Sequence, residues 1–181
     1  MTLTEARELL RERTAAYFGN AAVLFGDQSR SSKQALPLVV LTVGSLRRQL
    51  HPSFREGGET RRGWYRCTVP VTVDLFTRGT PRVTETGIIW LDTAQDQLTG
   101  FLDYWNSDLG LAWCGGRDLT VLTGGPVKNL SGLLEGTSRE YRARAELTLS
   151  FTVEAGAFAA PLDLDGGYFT EAEITEAEEE A

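Results

Sequence analysis

The chain has 181 residues, 41% of them hydrophobic, and a formal net charge of −7. This length and composition favour one domain with a substantial core over two full domains. No apolar run approaches the roughly 18 residues of a membrane span, and Met1 to Glu8 has no apolar signal core. Cys67 falls in the apolar phase of a strand, which favours buried free thiols over a disulfide with Cys114. We therefore expect a cytosolic chain.

The charge is unevenly distributed along the chain. Residues 145–181 hold ten acidic residues and no base, whereas residues 1–144 hold the other 15 acidic residues and all 18 basic ones. A mildly basic domain over residues 1–155 is therefore expected to precede an acidic extension over residues 156–181. The extension has few means of folding by apolar burial, so we expect partial disorder unless a partner holds it.

The N-terminal third predicts one helix and two strands. Thr2 to Glu5 has the spacing of a capping box, apolar residues follow at helical intervals, and Gly19 ends the helix. A short apolar piece over residues 21–25 comes next. Residues 37–43 form a β-branched run that suits a buried strand. Residues 46–66 are expected to form a long protruding hairpin or loop.

The middle of the chain begins with a clear alternation from Trp64 to Phe76, which predicts a strand. Pro70 lies on the polar face of this strand and has no ladder donor, which argues for an edge position or a bulge. Residues 78–86 give a weak pattern, and residues 88–91 fit a strand or the start of a helix.

A helix is then predicted, capped by Asp92 or Thr93 and closed by Gly110. Its apolar face is formed by Leu98, Phe101, Leu102, Trp105 and Leu109. Residues 119–122 form a short strand, bounded by Gly124-Gly125-Pro126.

The stretch from Tyr141 to Val153 alternates between apolar and polar residues without an error, which places the two sets on opposite faces of a strand. At roughly 3.3 Å per residue it reaches about 43 Å, and a compact domain of this length is about 41 Å across. The strand therefore spans the body or leaves it, which suggests assembly with a neighbour.

The element order is roughly α-β-β-β-α-β-β. This order predicts an α+β fold, with a mostly antiparallel twisted sheet of long strands, helices packed on one side and a protruding hairpin.

Few residues suggest catalysis or a bound cofactor. His51 is the only histidine and has no cysteine or serine motif beside it, so neither a triad nor a histidine-rich metal site is expected. Gly124 to Lys128 lacks the spacing of a phosphate loop. Asp163 to Gly167 resembles a calcium loop, but its glycine comes two positions early and Ile174 replaces the acidic ligand. We expect no enzyme, no cofactor and no metal.

One cluster of charge suggests an interface. Six arginines crowd one stretch of 21 residues: Arg47, Arg48, Arg55, Arg61, Arg62 and Arg66. They can be solvated residues that keep a strand edge soluble, or they can dock an acidic partner, for which the acidic extension of this chain or of a neighbour is the nearest candidate. DNA is a weaker alternative, because no groove-reading helix accompanies them.

Three pieces of the chain together resemble the neck or tail terminator (tail completion) proteins of tailed bacteriophages. They are the opening helix with the strand Ala35–Val43, the stretch Tyr65–Gly79, and the strand Arg139–Phe151. The likeness is one of order and pattern, and it spans about residues 3–155. Pro70 and the acidic extension depart from it.

The resemblance implies a structural virion protein without catalysis. Such proteins form a ring, commonly a hexamer, that ends the tail tube and joins it to the head connector. The implied partners are further copies of the chain, a tail tube or sheath protein, a connector or adaptor protein, and double-stranded DNA that passes through the bore without sequence-specific binding. The expected location is the virion neck, after assembly in the host cytoplasm. The interface hypothesis adds Tyr141, Arg142 and Arg144 to the six arginines.

Two other classes remain open. Another head–tail adaptor or a tail-tube-like subunit would share the assembly chemistry. A small cytosolic ligand-binding module would use Trp90, Trp105 and Trp113 to line a pocket, although tryptophans near a helix are more often part of a core.

Overall fold

A computed structural model describes residues 1–19, 21–26, 35–57, 60–131 and 140–154, with the backbone alone for 54–57 and 60–62. The helices are α1 (Leu3–Tyr17), α2 (Ala94–Asn106) and α3 (Asp108–Gly115). The strands are β1 (Ala22–Phe25), β2 (Leu38–Val43), β3 (Arg47–Arg48), β4 (Ser53–Gly57), β5 (Thr60–Thr77), β6 (Thr80–Thr84), β7 (Gly87–Leu91), β8 (Leu119–Asn129) and β9 (Tyr141–Glu154). The acidic extension over residues 156–181 lies outside the described residues.

The long strand β5 organises the main sheet. Within the described ranges, seven strands form one sheet in the order β1-β2-β5-β9-β8, and β3 and β4 also pair with β5. The β1–β2 pair is parallel and the others are antiparallel. Strands β6 and β7 form a separate two-stranded sheet. The predicted α+β class with a mostly antiparallel sheet is confirmed.

The core lies between one face of the main sheet and the helices. The alternating apolar residues of β5 and β9, among them Val73 and Leu147, are buried on this face. Leu10 of α1 and Phe101 and Trp105 of α2 are buried in the same cluster. The helices therefore pack on one side of the sheet, as the alternation predicts, and the opposite face is called the far face below.

The predicted capping box begins α1. The Thr2 hydroxyl accepts from the backbone N–H of Glu5, and the Glu5 carboxylate accepts from the Thr2 N–H at 2.7 Å. This backbone hydrogen bond lowers the pKa of Glu5. Gly19 follows the helix with a positive φ of 57°. Start and stop signals thus agree with the pattern read from the sequence.

Pro70 was expected to mark an edge strand or a bulge. The structure corrects this expectation, because β5 is an internal strand with partners on both sides. The carbonyl of Pro70 accepts from the Gly44 N–H at 2.8 Å. The nitrogen and the carbonyl of one strand residue point to the same side, so the Pro70 nitrogen also faces the side of Gly44. At this point β2 has ended at Val43 and β3 has not begun. The missing donor therefore falls in a gap between strands, and the β5–β9 ladder is untouched.

The long strand predicted over 141–153 is confirmed, but it does not leave the body. Strand β9 pairs with β5 along its whole length and with β8 on its other side. Both of its edges are therefore occupied within the chain. β8 is an edge strand of the sheet, and a register shift between Gly124 and Lys128 interrupts its pairing with β9. β8 also runs well beyond the predicted strand over residues 119–122.

The predicted helix after Asp92 is two helices. α2 ends at Asn106, and the hydroxyl of Ser107 accepts from the Gly110 N–H to cap α3. Leu109 was predicted to belong to the buried face, but it is 71% exposed. The new helix axis after Ser107 turns it away from the core.

A cluster of three charged residues lies on the far face. Asp74 is 4% exposed and receives hydrogen bonds from two arginines of β9. Arg144 is bidentate, with Nε–Oδ1 at 2.9 Å and Nη2–Oδ2 at 3.0 Å, and Arg142 Nη2 lies 3.1 Å from Oδ1. The hydrogen bonds that Arg144 donates to Asp74 raise the pKa of Arg144. One buried carboxylate thus holds two cations side by side.

Replacing Asp74→Asn should leave two adjacent arginines without a counter-charge. Because water reaches both guanidiniums, we expect the free energy of unfolding to fall by about 2–3 kcal/mol, less than for a fully buried pair. Denaturant titration measures the change. Glu85→Gln, at an exposed position of the turn between β6 and β7, is the control and should change stability by less than about 0.5 kcal/mol. Equal stability of both variants would contradict this role for Asp74.

The contact between Gly44 and Pro70 gives a second prediction. A Cβ at Gly44 would lie 2.8 Å from Pro70 Cγ and 3.2 Å from its carbonyl oxygen. Gly44→Ala should therefore lower the free energy of unfolding by about 1–2 kcal/mol. A Cβ at Gly124 meets nothing within 4 Å, so Gly124→Ala serves as the matched control and should cause no loss. If Gly44→Ala left the free energy of unfolding unchanged, the backbone at Gly44 could move away from Pro70 without cost.

Candidate functional site

The described residues show no centre for metal or nucleophilic chemistry. They contain no group of three or more His, Cys, Asp or Glu arranged to hold a metal ion. His51 is exposed in the loop after β3. Cys67 and Cys114 are buried free thiols, as predicted, and burial raises the pKa of both. They therefore stay protonated and are weak nucleophiles. In this part of the chain no helix has the length and apolar character needed to cross a membrane.

The segment of residues 46–66, called the arginine-rich segment below, contains a hairpin. Strands β4 and β5 pair so that Arg55 lies opposite Arg62 and Glu56 opposite Arg61. The side chains of these positions lie outside the described residues. The part of β5 before Trp64 pairs with β4 and extends past the last described residue of β9, Glu154. The expected protruding hairpin is present in the backbone.

The remaining three arginines of the segment lie on both faces of the sheet. By register, Arg47 and Arg66 share the far face, and Arg48 lies on the other face. The Arg48 guanidinium lies 4.4 Å from the centre of the Tyr65 ring, and Arg66 Nε donates to Ser150 Oγ at 3.1 Å. All three arginines are exposed. They are available to a partner, although they do not form one flat patch.

The three predicted interface residues of β9 lie elsewhere. Arg142 and Arg144 are held by Asp74, about 26 Å along β5 from Arg66 at the usual rise of a strand. Tyr141 is half-buried, and its hydroxyl donates to the Trp90 carbonyl at 2.8 Å. The nine predicted residues therefore separate into two groups at opposite ends of β5. The second group, Tyr141, Arg142 and Arg144, makes hydrogen bonds within the chain, to the β6–β7 hairpin and to Asp74.

The sequence analysis missed an exposed apolar surface on the β6–β7 hairpin. Its register aligns Pro81 with Trp90 and Val83 with Ile88, so these four residues share one face. Val83 is 80%, Ile88 63% and Trp90 46% exposed. We call this surface the apolar hairpin face. Its signal in the sequence was the alternation in Pro81-Arg82-Val83-Thr84, followed by a glycine at position 87. In the structure Gly87 has a positive φ of 139° at the turn.

The base of the hairpin is firmly attached to the body. Besides the Tyr141 bond, the hydroxyls of Thr80 and Thr93 lie 3.0 Å apart, and Asn129 Nδ2 donates to Asp92 at 3.1 Å. Gly79 has a positive φ of 79°, and a Cβ there would overlap the Leu91 carbonyl oxygen. The hairpin is thus positioned rigidly at its base while its apolar face stays in solvent.

Helix α3 carries a second exposed apolar surface. Gly110 and Cys114 face the core, while Leu109, Leu111 and Ala112 are exposed. We call these three residues the α3 patch. A helix that is apolar on all sides is normally covered on all sides. The solvent side of α3 is therefore a candidate interface.

The three tryptophans proposed as pocket residues do not line one common pocket. Trp105 is fully buried in the core, and its ring centre lies 5.6 Å from that of Trp113. Trp90 is on the exposed hairpin. A groove of about 380 Å³ runs between α2 and β8, and Gln95, Asn106 and Pro126 are among its lining residues. None of the three tryptophans lines it.

The chain matches a family described as phage neck terminator protein. The match covers residues 5–179, which is nearly the whole chain. No curated protein matches the chain. The family agrees with the resemblance found in the order of the strands. The chain therefore belongs to the phage neck terminator family, and it is a structural protein of the phage tail and neck.

Proposed function

We propose that this protein assembles into a closed ring, a homohexamer, that ends the tail tube and joins it to the head connector. The observation that carries the proposal is the family match over residues 5–179. Assembly takes place in the host cytoplasm, and the ring then forms part of the virion neck. Its partners are further copies of the chain, a tail tube or sheath protein, and a connector or adaptor protein.

The exposed apolar surfaces support assembly. A two-stranded hairpin has little stability by itself in water, yet β6–β7 places Val83, Ile88 and Trp90 in solvent. Contiguous exposed apolar side chains of this kind usually mark an interaction surface. A chain that functions as a subunit of an assembly would bury these side chains against a neighbouring subunit.

The charge of the chain supports passage of DNA without tight binding. The net charge is −7, and the acidic residues dominate after position 144. Proteins that hold DNA neutralise its phosphates with Lys and Arg and release counterions. An acidic bore does the reverse, since it repels phosphate and lets the duplex slide.

The arginine-rich segment is proposed to contact an acidic partner at one end of the body. Arg47, Arg48 and Arg66 are exposed, and the β4–β5 hairpin reaches past the described end of β9. Complementary charge at such a contact guides association and fixes orientation. An acidic face on the tail tube, on the connector or on the extension of a neighbouring copy would fit this segment.

Imaging of purified particles tests the ring. Three-dimensional reconstruction of the neck should show one closed ring of this chain around the DNA path, between tail tube and connector. Light scattering of the isolated protein at increasing concentration should show the same copy number. A single copy in the particle and a monomer in solution would contradict the proposal. A position inside the tail or within the connector would instead favour a tail-tube-like subunit or an adaptor.

Charge reversal tests the arginine-rich segment. The double variant Arg61→Glu, Arg62→Glu should fold normally but fail to join heads to tails, because an acidic partner would be repelled. Thermal unfolding and the yield of complete particles measure the two properties. The control is Arg11→Glu, Lys128→Glu, which makes the same change in net charge outside the arginine-rich segment, at a half-buried position of α1 and an exposed position of β8. Normal joining with the first variant would show that these arginines are only solvated charge.

A further inference from the structure

We propose that the apolar hairpin face of one copy docks on the α3 patch of the next copy, and that this contact closes the ring. The inference rests on the proposed ring and specifies how its subunits meet. Each copy would present a donor surface, the hairpin, and an acceptor surface, the helix.

The two surfaces lie at opposite ends of α2. β7 ends at Leu91 and the Thr80 hydroxyl of β6 lies 3.0 Å from that of Thr93, immediately before α2, and only Ser107 separates α2 from α3. The 13 residues of α2 separate them by about 20 Å at 1.5 Å per residue. Because the hairpin is anchored at its base, it cannot bend back to α3 of its own chain. The docking partner must therefore be another molecule.

A contact between two different surfaces of the same chain has a defined consequence for symmetry. Such a head-to-tail contact leaves one donor and one acceptor free after each addition, so it gives a ring where the rotation between copies closes and an open filament where it does not. A contact of hairpin with hairpin would instead end at a dimer. Two different surfaces on one chain are therefore compatible with a ring, and the rotation between neighbouring copies sets the number of subunits.

The charges around the two surfaces are complementary. Arg78 and Arg82 are exposed beside the apolar hairpin face. Residues 94–115, which form α2 and α3, carry no Lys or Arg and three exposed aspartates: Asp96, Asp103 and Asp108. The nearest following base, Arg117, is engaged with Trp113 of α3. Arginines at the rim of one copy would therefore meet carboxylates at the rim of the next. This pairing favours hairpin against helix over hairpin against hairpin, which would bring like charges together.

Two single variants and their mixture test the contact. Val83→Asp places a charge in the apolar hairpin face, and Leu109→Asp places one in the α3 patch. Each variant alone should lose ring formation and elute with the mass of a single chain. An equimolar mixture should give a one-to-one dimer, because the intact hairpin of the Leu109→Asp chain still fits the intact helix of the Val83→Asp chain. Light scattering after size-exclusion chromatography measures these masses.

The control is Leu122→Asp, since Leu122 is 47% exposed on β8 and belongs to no proposed contact surface; this variant should form the wild-type ring. Rings from both single variants would overturn the contact but leave the proposed ring intact. Self-association of Leu109→Asp with loss of it in Val83→Asp would show hairpin pairing with hairpin. A wild-type protein that stays monomeric at all concentrations would overturn the ring and the contact together.

Cross-linking provides a second readout if an aspartate variant fails to fold. A short thiol-reactive cross-linker should join Val83→Cys chains to Leu109→Cys chains in a mixture. The native Cys67 and Cys114 are buried, so they contribute little background. A mixture of Val83→Cys with Leu122→Cys is the control and should stay uncoupled. Equal coupling in both mixtures would contradict the contact.

Discussion

The pairing of β5 with β9 is the constraint on which the rest of the structure depends. It runs without a register shift from Trp64 opposite Glu154 to Thr77 opposite Tyr141. Because side chains alternate along both strands, this single register brings the buried apolar residues of both strands to one face, which forms the sheet side of the core. The same register places Asp74 beside Arg144 and brings Tyr141 to the base of the hairpin. A slip of one residue would disrupt the core, the charged cluster and the hairpin anchor together.

The sequence was most informative where one local signal decided the structure. Alternation predicted β5 and β9 because one face of each is buried along its length, and the capping box predicted α1 because both hydrogen bonds lie within four residues. Pro70 misled because sequence does not reveal where a neighbouring strand is interrupted. The roles of Arg142 and Arg144 were missed because their partner, Asp74, lies some 70 positions away in the chain.

The interaction surfaces were the hardest features to predict. Ile88 and Trp90 are apolar residues in solvent, whereas pattern analysis assumes that apolar residues face a core. Leu109 was assigned to the core because it continues the helical spacing of the apolar residues of α2, although Ser107 is a residue type that commonly caps a new helix. The arginines of residues 46–66 were easier to recognise, since six of them lie within one short segment. Each of these surfaces departs from the pattern of a monomeric protein, and the family match places the chain in a larger assembly.

The interruption in β8 has a consequence for the time before the neck is built. β8 borders the sheet, and an exposed sheet edge is a template on which other chains can polymerise. The irregular stretch from Gly124 to Lys128 contains Pro126, which has no backbone donor, and it breaks the regular ladder of that edge. This edge is therefore a poor template for another strand, which protects the chain from stacking into fibrils. Any contact between copies would have to use side-chain surfaces in place of strand pairing at β8.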